Sequence, residues 1–254
     1  MCFKKRNKHV NITEENADTE HLCCIIRTRT AHPGVETKRR WLKDRLKEGH
    51  VFRKLNINGT VFIEYAPLET AWVPITGDNF YYIYCLWVTG APKGHGYGKQ
   101  LMEYCINDAK MHNKSGICML GSKKQKLWLS DKKFAQSYGF ESVDETGDGY
   151  ELLALRFDGA MPRFAPNAKK QAIDGKKLTI FYDDQCPFTF QRIEKLCEYC
   201  KSNNIDADFI HVETAEQAKN LPCVFNNFAV FYNGKFKTVN QMDGAAVEKM
   251  IKKS

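Results

Sequence analysis

The chain has 254 residues, 43% hydrophobic and 27% charged, which suits one large or two ordinary globular domains with a proper core. It holds no run of 18 or more apolar residues, which argues against a membrane-spanning helix, and its basic start "MCFKKRNKHVNITEEN" has no apolar stretch behind it to serve as a secretory signal. The net charge is +8, spread along the chain: from Ala168 onward 13 basic side chains face 11 acids, leaving +6 for the front. With no long basic arm, that excess fits a small anionic ligand at least as well as nucleic acid, and nucleic-acid binding is not expected. Ten cysteines at irregular spacing, with one Cys-x-x-Cys (Cys197 to Cys200), fit reduced thiols and a cytoplasmic location rather than a zinc ribbon.

In chain order, "NITEENADTEHLCCII" reads as a short strand running into a helix with Thr13 as its cap, and "ETKRRWLKDRLKEG" as an amphipathic helix with Trp41, Leu42, Arg45 and Leu46 on neighbouring turns. "HVFRKLNI" and "TVFIEYA" alternate about Asn58-Gly59, a dipeptide that favours positive φ at both turn positions, so they predict a β-hairpin. "FYYIYCLWV" is a third strand, "KQLMEYCINDAKMHN" a helix with Leu101, Cys105 and Ala109 on one stripe, and "GICML" a strand. "SDKKFAQSY" predicts a short helix and "FESVDETGDGYELLALRF" two strands around a turn. The result is a mixed, mostly antiparallel α/β sheet with helices packed on it. "GAMPRFAPNAKKQAIDGKK" is the best linker, which divides the chain into domains at 1–165 and 177–254 with 166–176 between them. The second part begins with a β-run, then Cys186-Pro187 opening a helix, and later Pro222, a β-run, an Asn-Gly turn and a final helix.

Between the third strand and the helix lie Gly94, Gly96 and Gly98. A glycine-rich turn there offers consecutive backbone N–H groups and the positive end of a helix dipole, a site for phosphate. A P-loop is excluded because Lys93 and Gln100 stand where glycine and a hydroxyl residue are needed, and the spacing is not the Gly-x-Gly-x-x-Gly of a dinucleotide fold. Lys93-Gly94-His95-Gly96-Tyr97-Gly98-Lys99 resembles the acetyl-CoA pyrophosphate loop of the GNAT N-acetyltransferases, with Lys93 at the place of the usual Gln or Arg. "KKFAQSYGFESV" is similar to the segment that closes that family's core.

The resemblance covers residues 9 to 158. It implies acetyl-CoA as co-substrate, a pantetheine arm lying along Leu86, Trp87 and Val88, and direct attack of a small-molecule amine on the thioester. The family's acid tyrosine is replaced by Ala135 and its upstream asparagine by Trp128. Glu64 or Glu69, on an aromatic-rich strand that would raise a carboxyl pKa, are the candidate bases. Lys123, Lys124 and Lys126 could attract the ribose phosphate, although a solvated loop accounts for them as well.

The second part resembles a thioredoxin-like domain, and the order of the two resembles the YoaP-type acetyltransferases, which carry a similar "FYNGKF" segment. Thr189 stands where a second redox cysteine would be. Cys186 at a helix N-terminus would be a thiol of lowered pKa, with Cys223 as a distant resolving partner, or the module would be redox-dead and cover the acetyltransferase site. Three readings stay open: an amine acetyltransferase, an acyl-CoA-binding sensor with little catalysis, and a monothiol enzyme centred on Cys186.

Overall fold

The computed structural model describes residues 9–22, 32–57 and 60–253. Its elements are β1 (His9–Asn11), α1 (Gly34–Leu46), β2 (Val51–Leu55), β3 (Thr60–Pro67), β4 (Ile75–Thr76), β5 (Phe80–Thr89), α2 (Tyr97–Met111), β6 (Gly116–Ser122), α3 (Lys132–Gln136), β7 (Glu141–Glu145), β8 (Tyr150–Arg156) and β9 (Arg163–Phe164). After a 3-10 turn at Pro166–Lys169 follow β10 (Leu178–Tyr182), α4 (Pro187–Ser202), β11 (Ala207–His211), α5 (Ala215–Lys219), β12 (Phe228–Tyr232), β13 (Lys235–Thr238) and α6 (Gly244–Ile251).

The first seven-stranded sheet runs β1-β2-β3-β5-β6-β8-β7. Every pair is antiparallel except β5 with β6. β2 and β3 pair as the hairpin expected from the sequence; the turn residues Asn58 and Gly59 themselves lie outside the described residues. Residues 12–20 form turns rather than the expected helix, and 23–31 also lie outside the described residues.

The strand period of two sorts the sheet's side chains to two faces. One face carries Ile63, Tyr65, Ile83, Met119 and Leu153 against the Leu101, Met102, Cys105 and Ala109 stripe of α2. Tyr65 OH closes that contact by donating to Asp108 Oδ2 at 2.8 Å. The other face carries Phe52, Phe62, Tyr82 and Tyr84 against Trp41 and Leu42 of α1. The same hydrophobic cluster continues into Cys223, Phe225 and Phe231 of the C-terminal part.

That continuity changes the expected linker. Within 159–177, β9 pairs with β4, Phe164, Ala165 and Ala168 are buried, and Asn167 Nδ2 donates to Lys219 O and Leu221 O at 2.9 and 2.7 Å. The segment is a packed strap, held by its small apolar side chains and one asparagine. The C-terminal sheet runs β11-β10-β12-β13, with β10 and β11 parallel across α4 and the other pairs antiparallel. α4 lies directly on α1: Gly34 approaches Pro187 O so closely that a Cβ there would overlap it.

Candidate functional site

Two features of β5 build the site. First, its pairing with β6 stops at Ile83–Met119, while β6 continues with β8 as far as Ser122, so the β6-facing edge of Tyr84–Thr89 is open. Second, the β3–β5 register shifts between Glu64–Cys85 and Tyr65–Ile83, leaving Tyr84 as the extra residue of a bulge. The bulge lets consecutive Tyr84 and Cys85 both reach one cleft. That cleft, of about 670 Å³, is lined by Leu86, Trp87 and Val88 on one side and by the loop from Gln125 to Asp131 on the other. Trp87 and Trp128, each 43% exposed, flank its mouth.

Past Thr89 the chain turns through Gly94 and Gly96, with φ of 80° and 73°, and Gly96 caps α2 in the left-handed conformation. No atom lies within 4 Å of where a Cβ would stand at either position, so glycine is required there by backbone conformation and the space before it is open. Gly98 is under neither constraint: its φ is not positive, and a Cβ there would make ordinary contacts with the Phe134 ring at 3.5 Å and Val88 at 3.7 Å. The first turn of α2 holds no acidic side chain, and first-turn amides have no intrahelical acceptor. Lys93, His95 and Lys99 are exposed and Tyr97 is half-buried, its ring stacked on His95 at 6.1 Å. The loop from Lys93 to Lys99 adjoins the cleft through Val88 but does not line it.

The cleft floor holds Glu64, 1% exposed and not on the exposed strand face its alternation allowed. Its Oε1 accepts from Lys38, itself buried, and from His50 Nε2 at 2.9 Å; its Oε2 accepts from Gln185 Nε2 at 2.7 Å. Burial alone would push the carboxyl up, as the sequence suggested, but the Lys38 charge and the His50 hydrogen bond outweigh it and hold Glu64 below its ordinary value. Burial likewise pushes the His50 imidazole down, which keeps it neutral. Glu69 does not join this group. It is exposed past the end of β3, where its carboxylate accepts from Asn79 N at 2.6 Å.

The C-terminal part supplies the remaining wall: Gln185, Cys186, Pro187, Phe188, Asn226 and Asn227. Cys186 is the N-cap of α4 and half-buried. Desolvation pushes its thiol up in spite of hydrogen bonds from Phe188 N and Gln241, so the lowering expected from the helix terminus is overridden. Its thiol neighbour is Cys85, also on the cleft, and not Cys223, which is fully buried beside Asp148 and Tyr150. Lys123 is paired with Glu145 at 2.6 Å and Lys126 lies over the Tyr150 ring at 3.6 Å, so both have partners within the protein and neither lines the cleft. Lys38, His50, Gln185, Asn226 and Asn227 were not singled out in the sequence. Only Lys38 had a local signal, a cation on the apolar stripe of Trp41 and Leu42.

The pattern of the acetyltransferase (GNAT) family matches residues 19–127, and that of the YoaP-like family matches 207–253. The Bacillus subtilis (strain 168) protein called uncharacterized N-acetyltransferase YoaP is 38% identical over 253 residues, covering 99% of this chain and 98% of its own. The chain therefore belongs to the GNAT acetyltransferases, in the branch that carries a YoaP-like C-terminal part. Among solved structures, a GNAT family acetyltransferase from Brucella melitensis in complex with acetyl-CoA aligns with a TM-score of 0.39 and 13% identity, over 61% of this chain and 92% of its own. An N-acetyltransferase of Thermoplasma acidophilum in complex with coenzyme A aligns at 0.38 and 12%, over 59% and 99%. Among the described residues no helix is long and apolar enough to cross a membrane, and no three His, Cys, Asp or Glu side chains gather to hold a metal.

Proposed function

We propose that this acetyltransferase moves the acetyl group of acetyl-CoA to the amine of a small molecule inside the cleft. The observation that carries the reading is the open edge of β5, which starts at Tyr84 and leads directly to the glycine loop and the N-terminus of α2. The unpaired strand edge offers backbone donors and acceptors to the amides of a pantetheine arm along Leu86, Trp87 and Val88. The backbone from Lys93 through Gly94, His95, Gly96, Tyr97 and Gly98 to Lys99 offers N–H groups and dipole to the pyrophosphate.

The acceptor enters on the Glu64 side. A carboxylate offers about four lone-pair sites, and Glu64 uses one of the two on Oε2 for Gln185. The remaining site accepts an N–H from the amine. Held below its ordinary range, Glu64 anchors and orients that amine, and the proton passes to water at the cleft mouth. Because Lys38 already neutralises Glu64 and the walls are largely aromatic and aliphatic, the site favours a monoamine with an apolar body over a polyamine.

The C-terminal part is best read as a thioredoxin-like module that covers the acetyltransferase cleft, with the domain division at 1–165, 166–176 and 177–254. Supporting this are the parallel β10–α4–β11 unit, Cys186-Pro187 opening α4, and the β12–β13 hairpin followed by α6. A thiol pushed up rather than down speaks against a dithiol or monothiol oxidoreductase. The free thiols at all seven described cysteines suit the cytoplasm.

Calorimetric titration with acetyl-CoA, and in parallel with 3′-phosphoadenosine 5′-diphosphate, tests the reading. Binding that needs the pantetheine arm is the expected result, followed by acetyl transfer in a panel of arylalkylamines and polyamines. No heat with either ligand would reduce the glycine loop to a turn.

A further inference from the structure

The open edge of β5 is closed at its inner end by the C-terminal part of the chain. Asn226 Nδ2 donates to Tyr84 O at 3.3 Å, one residue past the last β5–β6 pair. A pantetheine arm that enters at the glycine loop and runs back along Val88, Trp87 and Leu86 therefore ends against Asn226. Its thioester stops where Cys85, Glu64 and Cys186 line the cleft.

The departing thiolate needs a proton there, and the N-terminal part is poorly placed to give one. Ala135 stands where the resemblance puts an acid tyrosine, and it is fully buried. Tyr82 OH donates to Asn226 Oδ1 at 2.7 Å, and Tyr84, although its residue lines the cleft, packs its ring against Trp41 and His50 with its OH accepting from Trp72 N at 2.6 Å. Lys38 is spent on Glu64.

Cys186 reaches the same place from the opposite wall. Burial keeps its thiol protonated near neutral pH, and Phe188 N–H in the first turn of α4 would hold the thiolate once the proton is gone. Gln241, only 6% exposed, gives its Nε2 hydrogens to Thr189 Oγ1 at 3.0 Å and Asn227 Oδ1 at 3.5 Å, and its Oε1 acceptor has no partner among the described residues, so the amide beside Cys186 can accept its S–H.

Resting on the acetyl-CoA reading above, we propose that Cys186 is the catalytic acid, donated to the cleft by the C-terminal part, that protonates the leaving CoA thiolate. The amine nitrogen bonds to the thioester carbonyl carbon and the C–S bond breaks. The CoA sulfur takes the Cys186 proton and leaves as a thiol. The Cys186 thiolate regains a proton from water, which has received the one lost by the amine nitrogen. The C-terminal part is thus a component of the active site and not only its cover.

Two measurements on the full chain test this. The mixed disulfide of CoA with 2-thiopyridine, incubated for hours at alkaline pH so that a thiol raised by burial still supplies thiolate, should bind in the cleft and exchange with Cys186, releasing 2-thiopyridine and leaving one CoA on Cys186 by peptide mass analysis, with free CoA protecting. A CoA adduct on Cys85, or none in a protein that binds CoA by calorimetry, overturns the placement; a protein that does not bind CoA instead strikes the reading of the cleft itself. Second, with the amine that supports turnover in the screen, Cys186→Ala should lower kcat about 100-fold with acetyl-CoA while leaving its Kd unchanged. Cys186→Ser provides the folded, near-isosteric control for that affinity. With acetyl-seleno-CoA, whose selenolate leaves without a proton, the loss should shrink to a few-fold. Equal losses with both donors overturn the acid role, as does a donor-dependent loss that moves to Ser130→Ala, the hydroxyl on the facing loop.

Discussion

Glu64, Lys38 and His50 form a buried cluster whose members are stable only together. Removing one partner of a buried ion pair leaves an uncompensated charge, which costs about 3–5 kcal/mol. Lys38→Met should therefore destabilise the protein by about that amount in urea unfolding, and Lys38→Met with Glu64→Leu should recover most of it, because the paired loss removes both desolvation penalties. A double variant no better than the single one would mean the cluster's worth lies in its packing on Trp41, where Lys38 Nζ sits 4.6 Å from the ring centroid. The same cluster sets a pH dependence. His50 is held below its ordinary value of 6.5, so the unfolded chain takes up a proton before the folded one does. Stability should fall as pH drops through about 6.5, with Glu64 adding a second loss below its ordinary 4.5, as protonation reaches its depressed folded value. His50→Gln should flatten the first of these phases in unfolding midpoints measured between pH 7 and 5.

β5 and α2 are the most legible elements because their sequence signals are local. Aromatic alternation in "FYYIYCLWV" and the apolar stripe of the following helix define both ends of the glycine loop, and the structure keeps all three. Positive φ at Gly94 and Gly96 gives the loop its shape, and the open space around both positions separates conformation from crowding. Gly96→Asn, a residue that tolerates the left-handed region, should keep acetyl-CoA binding within about tenfold, at a cost of about 1 kcal/mol. Gly96→Glu should abolish detectable binding, because it adds both backbone strain and a carboxylate beside the proposed pyrophosphate site. Equal losses in the two variants, read by calorimetry, would point to backbone strain alone. What was not legible is the bulge at Tyr84. It inserts one residue without changing the alternating composition, and only the cross-strand register with β3 reveals it. The direction of the Glu64 and Cys186 shifts was misread for a related reason. Sequence gives local burial and helix position, whereas Lys38 charge at Glu64 and dense packing around Cys186 come from elements far along the chain.

The strap at 159–177 shows why composition alone suggested two loosely joined parts. Proline, glycine and lysine mark a turn-rich segment but say nothing about whether its small residues are buried, and here Ala165 and Ala168 are. The two parts share one hydrophobic cluster and a chain of amides that runs from Gln241 through Asn227 and Gln185 to Glu64, with the last two links at 2.9 and 2.7 Å. The tightest point between them is Gly34 of α1 against the Pro187 carbonyl at the start of α4, where any side chain must displace backbone. Overpacking a close contact costs about 1–3 kcal/mol. In Gly34→Val that cost falls on the docking of α4, and a 1.4 kcal/mol easier opening is about a tenfold rise in the open population. Alkylation of Cys186 by iodoacetamide should accelerate by about that factor, with near-native circular dichroism and a cleft that still binds CoA but turns over poorly. Unchanged alkylation would mean that Asn226 on Tyr84, together with Lys219 Nζ donating to Leu68 O at 3.0 Å, holds the C-terminal part in place without α1, and that α4 can shift without moving its own N-terminal cysteine.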